Sequence, residues 1–502
     1  MKRWLDRTTG AVPMYKLVVM SLVLIELAAI VLSALGLVPR DPLAIAVSSV
    51  VAVAASLAGT WAASLVARVK LHLESSIITG LLVFFVLEPK LELVALAGVA
   101  LAAALAGVSK FLVAVRGRHV FNPAALGAFV VGLVGLSYPA WWAGTPALLP
   151  FVAVTGFLVL YRTQRLGVGL FFLALTSVVF GLRIAIAGGT VGDWLGLALL
   201  SSPAVFLAVF MLSEPLTLPP RRWQQLVVAT VVALLFTIPF NIGPLYSSPL
   251  LALLVGNLLA FFFGQRRAIR MTYLGKTQLS PTTWELSFQP SRAVRFVPGQ
   301  YMELTIPHRR ADFRGSRRYF SISSAPSATA PITFAITVPS KSSSFKQALL
   351  DLEPGAIVHG TGVGGDFALP VKVSEPLLLV AGGIGITPFA SQLAHATERG
   401  EHRDVVVVYA TSAAGEPPYA SLLEQSGARV VLYSPEPPDP LPTGWTYGGA
   451  GRVTGERLAA DVPDAAGRRT FISGPPALVS ELRHALRGQG ARRVHTDAFS
   501  GY

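Results

Sequence analysis

The feature that most constrains the fold is a change in composition near Phe263. Before it, long apolar stretches follow one another with short charged connections. After it, charged, polar and apolar residues are mixed as in a water-soluble protein. Stretches of roughly 17–25 apolar residues cross a bilayer as helices. We therefore expect a polytopic helical membrane unit followed by a soluble unit at one face of the membrane.

The apolar stretches predict about ten membrane-spanning helices. They cover residues 14–37, 43–67, 74–88, 92–110, 121–138, 146–161, 167–187, 197–213, 223–240 and 247–264. The third and the eighth are short and contain Ser, Thr, Glu or Pro. This pattern predicts broken helices whose exposed backbone lines a site.

Basic residues alternate between the predicted loops. With a cytoplasmic N-terminus, the outer loops hold only Arg40 and Lys90, with Arg183 in a span near that face, whereas the inner loops hold many more. Lysine and arginine favour the cytoplasmic side. The asymmetry predicts a multi-pass protein of the inner membrane with both termini and the soluble unit in the cytoplasm. Much of the net charge of +14 lies in these loops, and no basic stripe interleaved with aromatics points to nucleic acid.

The chain has no cysteine. Disulfides, iron–sulfur clusters, thiolate zinc sites and c-type haem attachment all require cysteine, so they are excluded. A haem held by stacked histidine pairs is disfavoured, because the helical half offers only His72 and His119, both at span ends or in loops. No metal site is predicted.

Short β-branched and aromatic runs after residue 271 predict an antiparallel barrel. Within it lies Arg318-Tyr319-Phe320-Ser321. A guanidinium can pair with phosphate, an aromatic ring can stack on a flavin, and a hydroxyl can reach flavin N5. The stretch Ser342–Phe345 opens a predicted helix, and its amides and hydroxyls suit the pyrophosphate of FAD.

A buried-strand run, Leu377–Ala381, leads directly into Gly382-Gly383-Ile384-Gly385-Ile386-Thr387-Pro388 and a helix to about Thr397. Glycines let the backbone approach a phosphate, and a helix N-terminus attracts the anion. Further strands are predicted at 405–409, near 430–433 and at 470–473, the last followed by Ser473-Gly474-Pro475-Pro476. Their alternation with helical stretches predicts a doubly wound α/β domain.

Residues 271–502 resemble the ferredoxin–NADP⁺ reductase family, in which an FAD-binding barrel precedes a nicotinamide-binding α/β domain. The resemblance implies roles at the reacting flavin for Ser321, Ser473, Phe499 and Tyr502. The residues expected to bind the two cofactors are Gln300, Tyr301, Arg318, Tyr319, Phe320, Ser321, Ser344, Phe345, Gly382, Gly383, Gly385, Thr387, Pro388, Gly474 and Pro475.

This sequence departs from the family at Ser473-Gly474-Pro475, where the family often has Cys-Gly-Pro. Any role of that thiol is therefore lost or passed to Ser473. No arginine follows Tyr409-Ala410-Thr411-Ser412 to clamp a 2′-phosphate, which favours NADH over NADPH.

Polar signatures lie inside the predicted spans at 75–80, 121–124 and 213–220. Buried polar groups in lipid bind a ligand or join helices, and the residues alone leave both interpretations open. Together the signatures resemble two related membrane proteins, one from the sodium-pumping NADH:quinone reductase and one from the Rnf electron-transport complex, which implies a flavin-carrying bundle. The attachment motif for covalent FMN is missing from Gly144–Leu149. A non-covalent FMN or riboflavin is therefore expected at Ser76, Thr79, Asn122, Glu214 and Thr217.

These observations predict an electron-transfer membrane domain (1–265), an FAD-binding barrel (266–370) and an NAD(P)-binding domain (371–502). The predicted function is a transmembrane flavoprotein oxidoreductase. It passes electrons from cytoplasmic NAD(P)H through FAD to a membrane flavin, and on to a quinone or an extracytoplasmic acceptor, with other electron-transport proteins as further partners. The alternative is a redox-linked ion transporter, which Glu26 in mid-span and the predicted broken helices permit.

Overall fold

The computed structural model describes residues 14–67, 72–115, 118–163, 165–200, 203–243, 245–263, 268–306, 308, 317–339, 342–412 and 415–499. The chain forms two compact units, residues 1–266 and 267–502. The first is helical, and the second is built around two sheets.

Helices or helical segments lie within each of the predicted spans. They are α1 (Met14–Ala34), α2 (Pro42–Ala67), α3 (Leu73–Val86), α4 (Leu93–Leu112), α5 (Pro123–Leu133), α6 (Leu149–Arg162), α7 (Leu166–Ile186), α9 (Ala204–Phe206), α10 (Arg222–Thr237) and α11 (Pro249–Phe263). The short α8 (Val191–Leu195) lies between the seventh and the eighth predicted spans. Among the described residues, α1, α2, α4 and α7 are long and apolar enough to cross a membrane. The unit is therefore suited to membrane association, while ten complete spans stay a prediction.

Two short antiparallel strand pairs lie between helices of this unit. Strands β1 (Ala114–Val115) and β2 (Arg118–His119) pair between α4 and α5. Strands β3 (Asn241–Ile242) and β4 (Leu245–Tyr246) pair between α10 and α11. The first pair positions Arg118 and His119 directly before α5.

The two spans predicted to be broken differ in structure. The eighth is irregular, because π-helical turns at Gly196–Leu200 and Leu207–Leu212 flank the short α9. The third is an unbroken helix, so that prediction was wrong. The hydroxyl of Thr79 donates to the Ser75 carbonyl oxygen at 2.9 Å, and that of Ser76 to the His72 carbonyl oxygen at 3.2 Å. Polar side chains bonded back to their own helix do not interrupt it.

Glycines bring α2, α4 and α5 into backbone contact. A Cβ atom on Gly59 would lie 2.4 Å from the Ala104 carbonyl oxygen, and one on Gly127 would lie 2.2 Å from that of Ala102. Such distances leave no room for a side chain. Close approach at small residues is a common way for helices to pack in a membrane.

We expect Gly127→Ala to lower the thermal unfolding midpoint of the detergent-solubilised protein, since its methyl group forces α4 and α5 apart at a cost of about 1–3 kcal/mol. Gly196→Ala is the matched control, because a Cβ there meets no atom within 4 Å. Equal midpoints for the two variants would contradict the close packing.

The first part of the second unit is an antiparallel sheet, as predicted. Its described strands are β5 (Ile269–Ser280), β6 (Thr283–Pro290), β7 (Tyr301–Thr305), β8 (Arg317–Ser321), β9 (Ile332–Thr337) and β10 (Ile357–Gly364). They follow the order β8-β7-β10-β5-β6-β9 around an apolar core that includes Phe288, Met302 and Phe334. Helix α12 (Ser344–Leu350) packs against this core through Phe345 and Leu349.

The second part is a parallel sheet with the order β14-β13-β12-β11-β15-β16. The described strands are β11 (Leu377–Gly382), β12 (Val405–Ala410), β13 (Arg429–Tyr433), β14 (Trp445–Tyr447), β15 (Arg469–Gly474) and β16 (Val494–Ala498). Helices α13 (Thr387–Glu398), α14 (Ala420–Gln425), α15 (Gly455–Asp461) and α16 (Pro476–Gly488) complete it. Alternate residues of β11 belong to separate apolar cores, Leu377 and Leu379 to one and Leu378 and Val380 to the other. Both faces of the sheet are covered, as in the predicted doubly wound arrangement.

Candidate functional site

Strand β8 and helix α12 gather the predicted flavin-binding side chains of the barrel. The Arg318 guanidinium lies over the Phe345 ring, with 5.2 Å between the guanidinium carbon and the ring centroid. The Phe320 ring stacks on Phe345 at 5.9 Å. Residues 318 and 320 share a face of β8 because side chains alternate along a strand. The cluster offers a cationic group beside an apolar ring surface, which fits the phosphate and ring system of FAD.

His308 is part of this region, and sequence reasoning missed it. Its Nε2 lies 3.0 Å from the Ser344 hydroxyl, and its Nδ1 lies 2.9 Å from the Ile306 carbonyl oxygen. Ser343 caps α12 by accepting a hydrogen bond from the Lys346 amide. The Ser344 side chain is thus held by the histidine.

The remaining barrel residues have distinct positions. Tyr301 and Tyr319 meet edge to face at 5.3 Å, with Tyr319 half exposed. Ser321 is buried opposite Tyr301 in the β7–β8 register. The Gln300 side chain accepts from the Val297 amide at 2.9 Å and donates to the Gly365 carbonyl oxygen at 3.0 Å. Gln300 therefore shapes the barrel wall through backbone contacts.

The glycine-rich turn lies between the carboxyl ends of two neighbouring strands. Gly383 has a φ of +54°, a conformation that favours glycine. A Cβ on Gly385 would lie 2.3 Å from the Ser473 carbonyl oxygen, and one on Gly382 would lie 2.4 Å from Leu478. The hydroxyl of Thr387 donates to the Ile384 carbonyl oxygen at 2.9 Å, and Pro388 lies in the first turn of α13. The turn leaves its amides at a helix N-terminus, which fits a dinucleotide phosphate.

The turn after β15 completes this crevice. The backbone of Gly474 approaches Gly382 so closely that a Cβ would lie 3.0 Å from the Gly382 Cα, and Pro475 precedes α16. The buried Ser473 hydroxyl has no hydrogen-bond partner within the described part of the chain. Phe499 is tied to the turn, because its amide donates to the Gly474 carbonyl oxygen at 2.9 Å. Tyr502 lies outside the described residues.

Asp497 is a second residue that sequence reasoning missed. It pairs with Ser473 in the β15–β16 register, two residues before Phe499. Burial raises the pKa of Asp497 to about 6, and the nearby Asp366 adds to the effect.

A polar contact joins the barrel to the parallel sheet within the second unit. The Glu285 carboxylate accepts hydrogen bonds from the Ser323 and Tyr419 hydroxyls, both at 2.8 Å. Burial raises the pKa of Tyr419 well above its usual value, and Glu285 adds to the shift. The tyrosine therefore stays a neutral donor. The Ser391 hydroxyl adds a bond to the Ser324 carbonyl oxygen at 2.7 Å.

The helical unit contains a cavity of about 120 Å³. Three of the residues predicted to bind a membrane flavin line it: Thr79, Asn122 and Glu214. Ser76 and Thr217 are not in its lining, since the Ser76 hydroxyl bonds back to its own helix and the Thr217 hydroxyl lies beside the Glu214 carboxylate. Lys110 and His119 also line it, and sequence reasoning did not assign them to a site.

Glu214, which is partly buried, is the centre of a polar network whose other members are buried. Its carboxylate oxygens lie 2.9 Å from His119 Nε2, 2.9 Å from Asn122 Nδ2 and 3.4 Å from the Thr217 hydroxyl. Arg118 fixes the loop that carries it by donating to the carbonyl oxygens of residues 215, 216 and 218. These bonds compensate for removing a carboxylate from water.

The cavity does not fit a flavin as it stands. Pockets for organic ligands of that size have volumes of about 300–1,000 Å³, whereas a cavity of about 150 Å³ holds one benzene ring.

The second unit joins an antiparallel barrel to a doubly wound parallel sheet, and its barrel cluster and glycine-rich turn are suited to FAD and to a dinucleotide. Comparison with known proteins gives relatives for this half of the chain. No family model matches the chain. The chain is 28% identical over 233 residues to the reductase subunit of a stachydrine N-demethylase from Rhizobium meliloti, a match that covers 45% of this chain and 65% of that protein.

Two further relatives are also reductase components. The reductase subunit of an aromatic O-demethylase from Amycolatopsis is 26% identical over 245 residues, covering 47% of this chain and 70% of that protein. The ferredoxin reductase component of a 3-ketosteroid-9-alpha-monooxygenase from Mycolicibacterium smegmatis is 29% identical over 212 residues, covering 41% and 56%. The chain thus spans between 56% and 70% of the length of these three relatives.

Among solved structures, the FAD/NAD-binding domain of a nitric oxide dioxygenase from Vibrio cholerae is 18% identical with a TM-score of 0.40, covering 46% of this chain and 98% of that chain. A ferredoxin NADP⁺ reductase from Neisseria gonorrhoeae with bound FAD and NADP is 17% identical with a TM-score of 0.38, covering 47% and 99%. The second unit is a ferredoxin reductase-like FAD/NAD-binding module. The prediction of an oxidoreductase module that uses FAD and NAD(P) is confirmed for this half of the chain.

We expect Gly385→Ala to slow the bleaching of FAD absorbance by NADH at least tenfold, because its methyl group would press on the Ser473 carbonyl oxygen and displace the turn. Stopped-flow absorbance over a range of NADH concentrations measures this effect. Gly467→Ala is the control, since a Cβ there meets no atom within 4 Å. Unchanged bleaching in the Gly385 variant would contradict the assignment of the turn to the nucleotide.

Asp497 should make stability depend on pH. Its folded pKa of about 6 is above the ordinary aspartate value of 3.8, so its favourable contribution is complete below pH 4 and is lost as the pH rises through 6. Asp497→Asn should therefore raise the free energy of unfolding by up to about 3 kcal/mol at pH 8, and by about half as much at pH 5. Thermal release of FAD fluorescence measures both. A gain in the free energy of unfolding that is the same at the two pH values would contradict the raised pKa of Asp497.

Proposed function

We propose that this protein is a membrane-bound NAD(P)H:quinone oxidoreductase whose second unit takes electrons from NAD(P)H and passes them through FAD to a quinone at the helical unit. The main support for this proposal is that the reductase-like module and the helical unit belong to one chain. One chain joins a ferredoxin reductase-like module to a helical unit that has four candidate membrane spans and a largely apolar cavity with a few polar residues. A reductase fused to membrane helices is held where lipid-soluble acceptors are found.

In this proposal the residues of the second unit bind and orient the cofactors. Arg318 pairs with FAD phosphate, the Phe320 ring, supported from the core by Phe345, forms a wall for its adenine or ribityl end, and Ser321 approaches the flavin ring. FAD, when bound, accepts two electrons as hydride and can release them one at a time. Ser473 and Asp497 line the crevice at the ends of β15 and β16, where the nicotinamide would meet the flavin.

Phe499 and Tyr502 are proposed to cover the flavin ring. The bond from the Phe499 amide to the Gly474 carbonyl oxygen fixes the start of this segment beside the nucleotide turn. An aromatic cover keeps water from the flavin until the nicotinamide displaces it. This arrangement would limit loss of electrons to oxygen.

NADH is the proposed donor. The described residues after β12, Thr411 and Ser412, include no arginine, and the Thr411 amide is bonded to the Tyr433 carbonyl oxygen at 2.8 Å. The chain after β13 carries Glu436 and Asp439. Acidic groups near a 2′-phosphate would repel it, so this edge of the sheet favours NADH.

We propose an inner-membrane location with both termini and the second unit in the cytoplasm, on the basis of the basic residues in the loops. The membrane FMN or riboflavin expected from the sequence stays a prediction. The cavity volume of about 120 Å³ weighs against it, so the proposal does not include that flavin.

The purified full-length protein should oxidise NADH with a short-tail benzoquinone as acceptor, and NADPH more slowly. Arg318→Met should lose FAD and this activity together, because the phosphate would lose its cationic partner. Arg295→Met, at an exposed position, is the control. Extracted FAD content and anaerobic NADH consumption measure the outcome. Activity with ferricyanide but none with any quinone would overturn the proposed acceptor.

A second candidate follows from the relatives, which are reductase subunits or components of demethylases and a monooxygenase. In that case the helical unit would anchor a reductase that serves a separate oxygenase or ferredoxin. The quinone assay separates the two, because a reductase of this kind would reduce an added ferredoxin and leave the quinone oxidised.

A further inference from the structure

Lys110 is the basic side chain of the cavity that the proposed function has not used. It lies near the C-terminal end of α4, and its Nζ donates to the Ser75 carbonyl oxygen at 2.9 Å and to the Ser75 hydroxyl at 3.2 Å. Both partners are neutral. Among the described residues, no carboxylate lies within 4.0 Å of this nitrogen.

Glu214 lines the same cavity but does not neutralise Lys110 by contact. Its two oxygens are occupied by His119 and Asn122 at 2.9 Å each. A lysine in a largely apolar helical unit is costly unless it has a partner or a function. The cavity thus contains a strong donor with capacity for one more acceptor.

The size and lining of the cavity limit which ligand could supply that hydrogen-bond acceptor. Its volume of about 120 Å³ is close to that of a cavity that holds one six-membered ring. Much of the lining is apolar, with Ile78, Leu82 and Phe210 beside the polar residues. A flat ring with apolar faces and a carbonyl oxygen at its edge matches this combination.

We propose that Lys110 is a specificity-determining residue that donates a hydrogen bond to a ring carbonyl oxygen of the quinone headgroup, bound in the cavity between α3, α4 and the Glu214 loop. This inference rests on the proposed function, since it supplies the place where the acceptor binds. The pyrimidine ring of a flavin presents the same carbonyl chemistry, so the test must distinguish the two sources.

Lys110 would bind the partly negative carbonyl oxygen of the oxidised quinone. It would bind that oxygen more strongly as negative charge develops on it during reduction. A cationic donor strengthens its hydrogen bond as the acceptor oxygen becomes more negative. Glu214, held by His119 and Asn122, lines the same cavity. Lys110 as a proton donor and Glu214 as a proton acceptor would therefore both lie near a quinone ring bound there.

The test is equilibrium binding of a short-tail benzoquinone to the oxidised full-length protein in detergent, by isothermal titration without NADH. Lys110→Met should raise the Kd at least tenfold, as expected for loss of a charge-assisted hydrogen bond. Lys110→Arg should retain most of the affinity. Lys90→Met is the matched control, because Lys90 is exposed and lies outside the cavity lining.

Each outcome bears on the inference separately from the proposed function. An unchanged Kd in Lys110→Met, with normal FAD content and a normal rate of FAD bleaching by NADH, would overturn the role of Lys110. Acid extraction of one FMN or riboflavin per chain from the wild type, lost in Lys110→Met, would overturn the quinone assignment in favour of a flavin. Quinone binding that depends on Lys110, without turnover, would support the inference and contradict the proposed function.

Discussion

The polar interior of the helical unit depends on the hydrogen bonds that the Glu214 carboxylate makes with His119 and Asn122. This partly buried carboxylate is stabilised by hydrogen-bonding partners, and His119 and Asn122 are two of them, each at 2.9 Å. Arg118 then holds the loop in place through three backbone carbonyl oxygens. The position of α5 follows, because Asn122 both contacts Glu214 and caps that helix. Glu214, His119 and Asn122 form part of the polar lining of the cavity.

The second unit depends on a different constraint, the close approach of two strand ends. Gly382 and Gly474 come together where β11 and β15 finish, and a Cβ on Gly474 would lie only 3.0 Å from the Gly382 backbone. This contact opens a crevice at the carboxyl ends of parallel strands, where such sheets bind nucleotides. The Glu285–Tyr419 bond links the barrel to the same unit. The flavin and nucleotide residues are thus positioned by one continuous framework.

The sequence predicted what depends on local pattern. The run Leu377–Ala381 before a glycine-rich turn specifies a buried strand and a close backbone approach within a few residues, and the strand and turn were found where expected. The barrel motif was equally local, because alternation along β8 places Arg318 and Phe320 together. Glu214 and Asn122 were singled out because polar residues in apolar spans are costly, and they lie together in a polar network, while their binding of a flavin stays a prediction.

Contacts between distant parts of the chain were not predictable from one sequence. His119 and Glu214 are 95 residues apart, and Lys110 and Ser75 are 35 apart. Lys110 is the last residue of the predicted span 92–110, and lysines at the ends of spans commonly reach water. The predicted break in α3 failed because the hydroxyls of Ser76 and Thr79 bond to the helix that carries them. Asp497 gave no local sign of its burial beside Asp366.

The most direct test of electron transfer from FAD to quinone is a single-turnover experiment on the full-length protein. FAD is reduced anaerobically with one equivalent of NADH, a short-tail benzoquinone is added, and the flavin and quinone absorbance bands are followed together. We expect FAD to be reoxidised at the same rate as the quinone is reduced, one quinone for each FAD. FAD that stays reduced in the presence of excess quinone would contradict the proposed transfer.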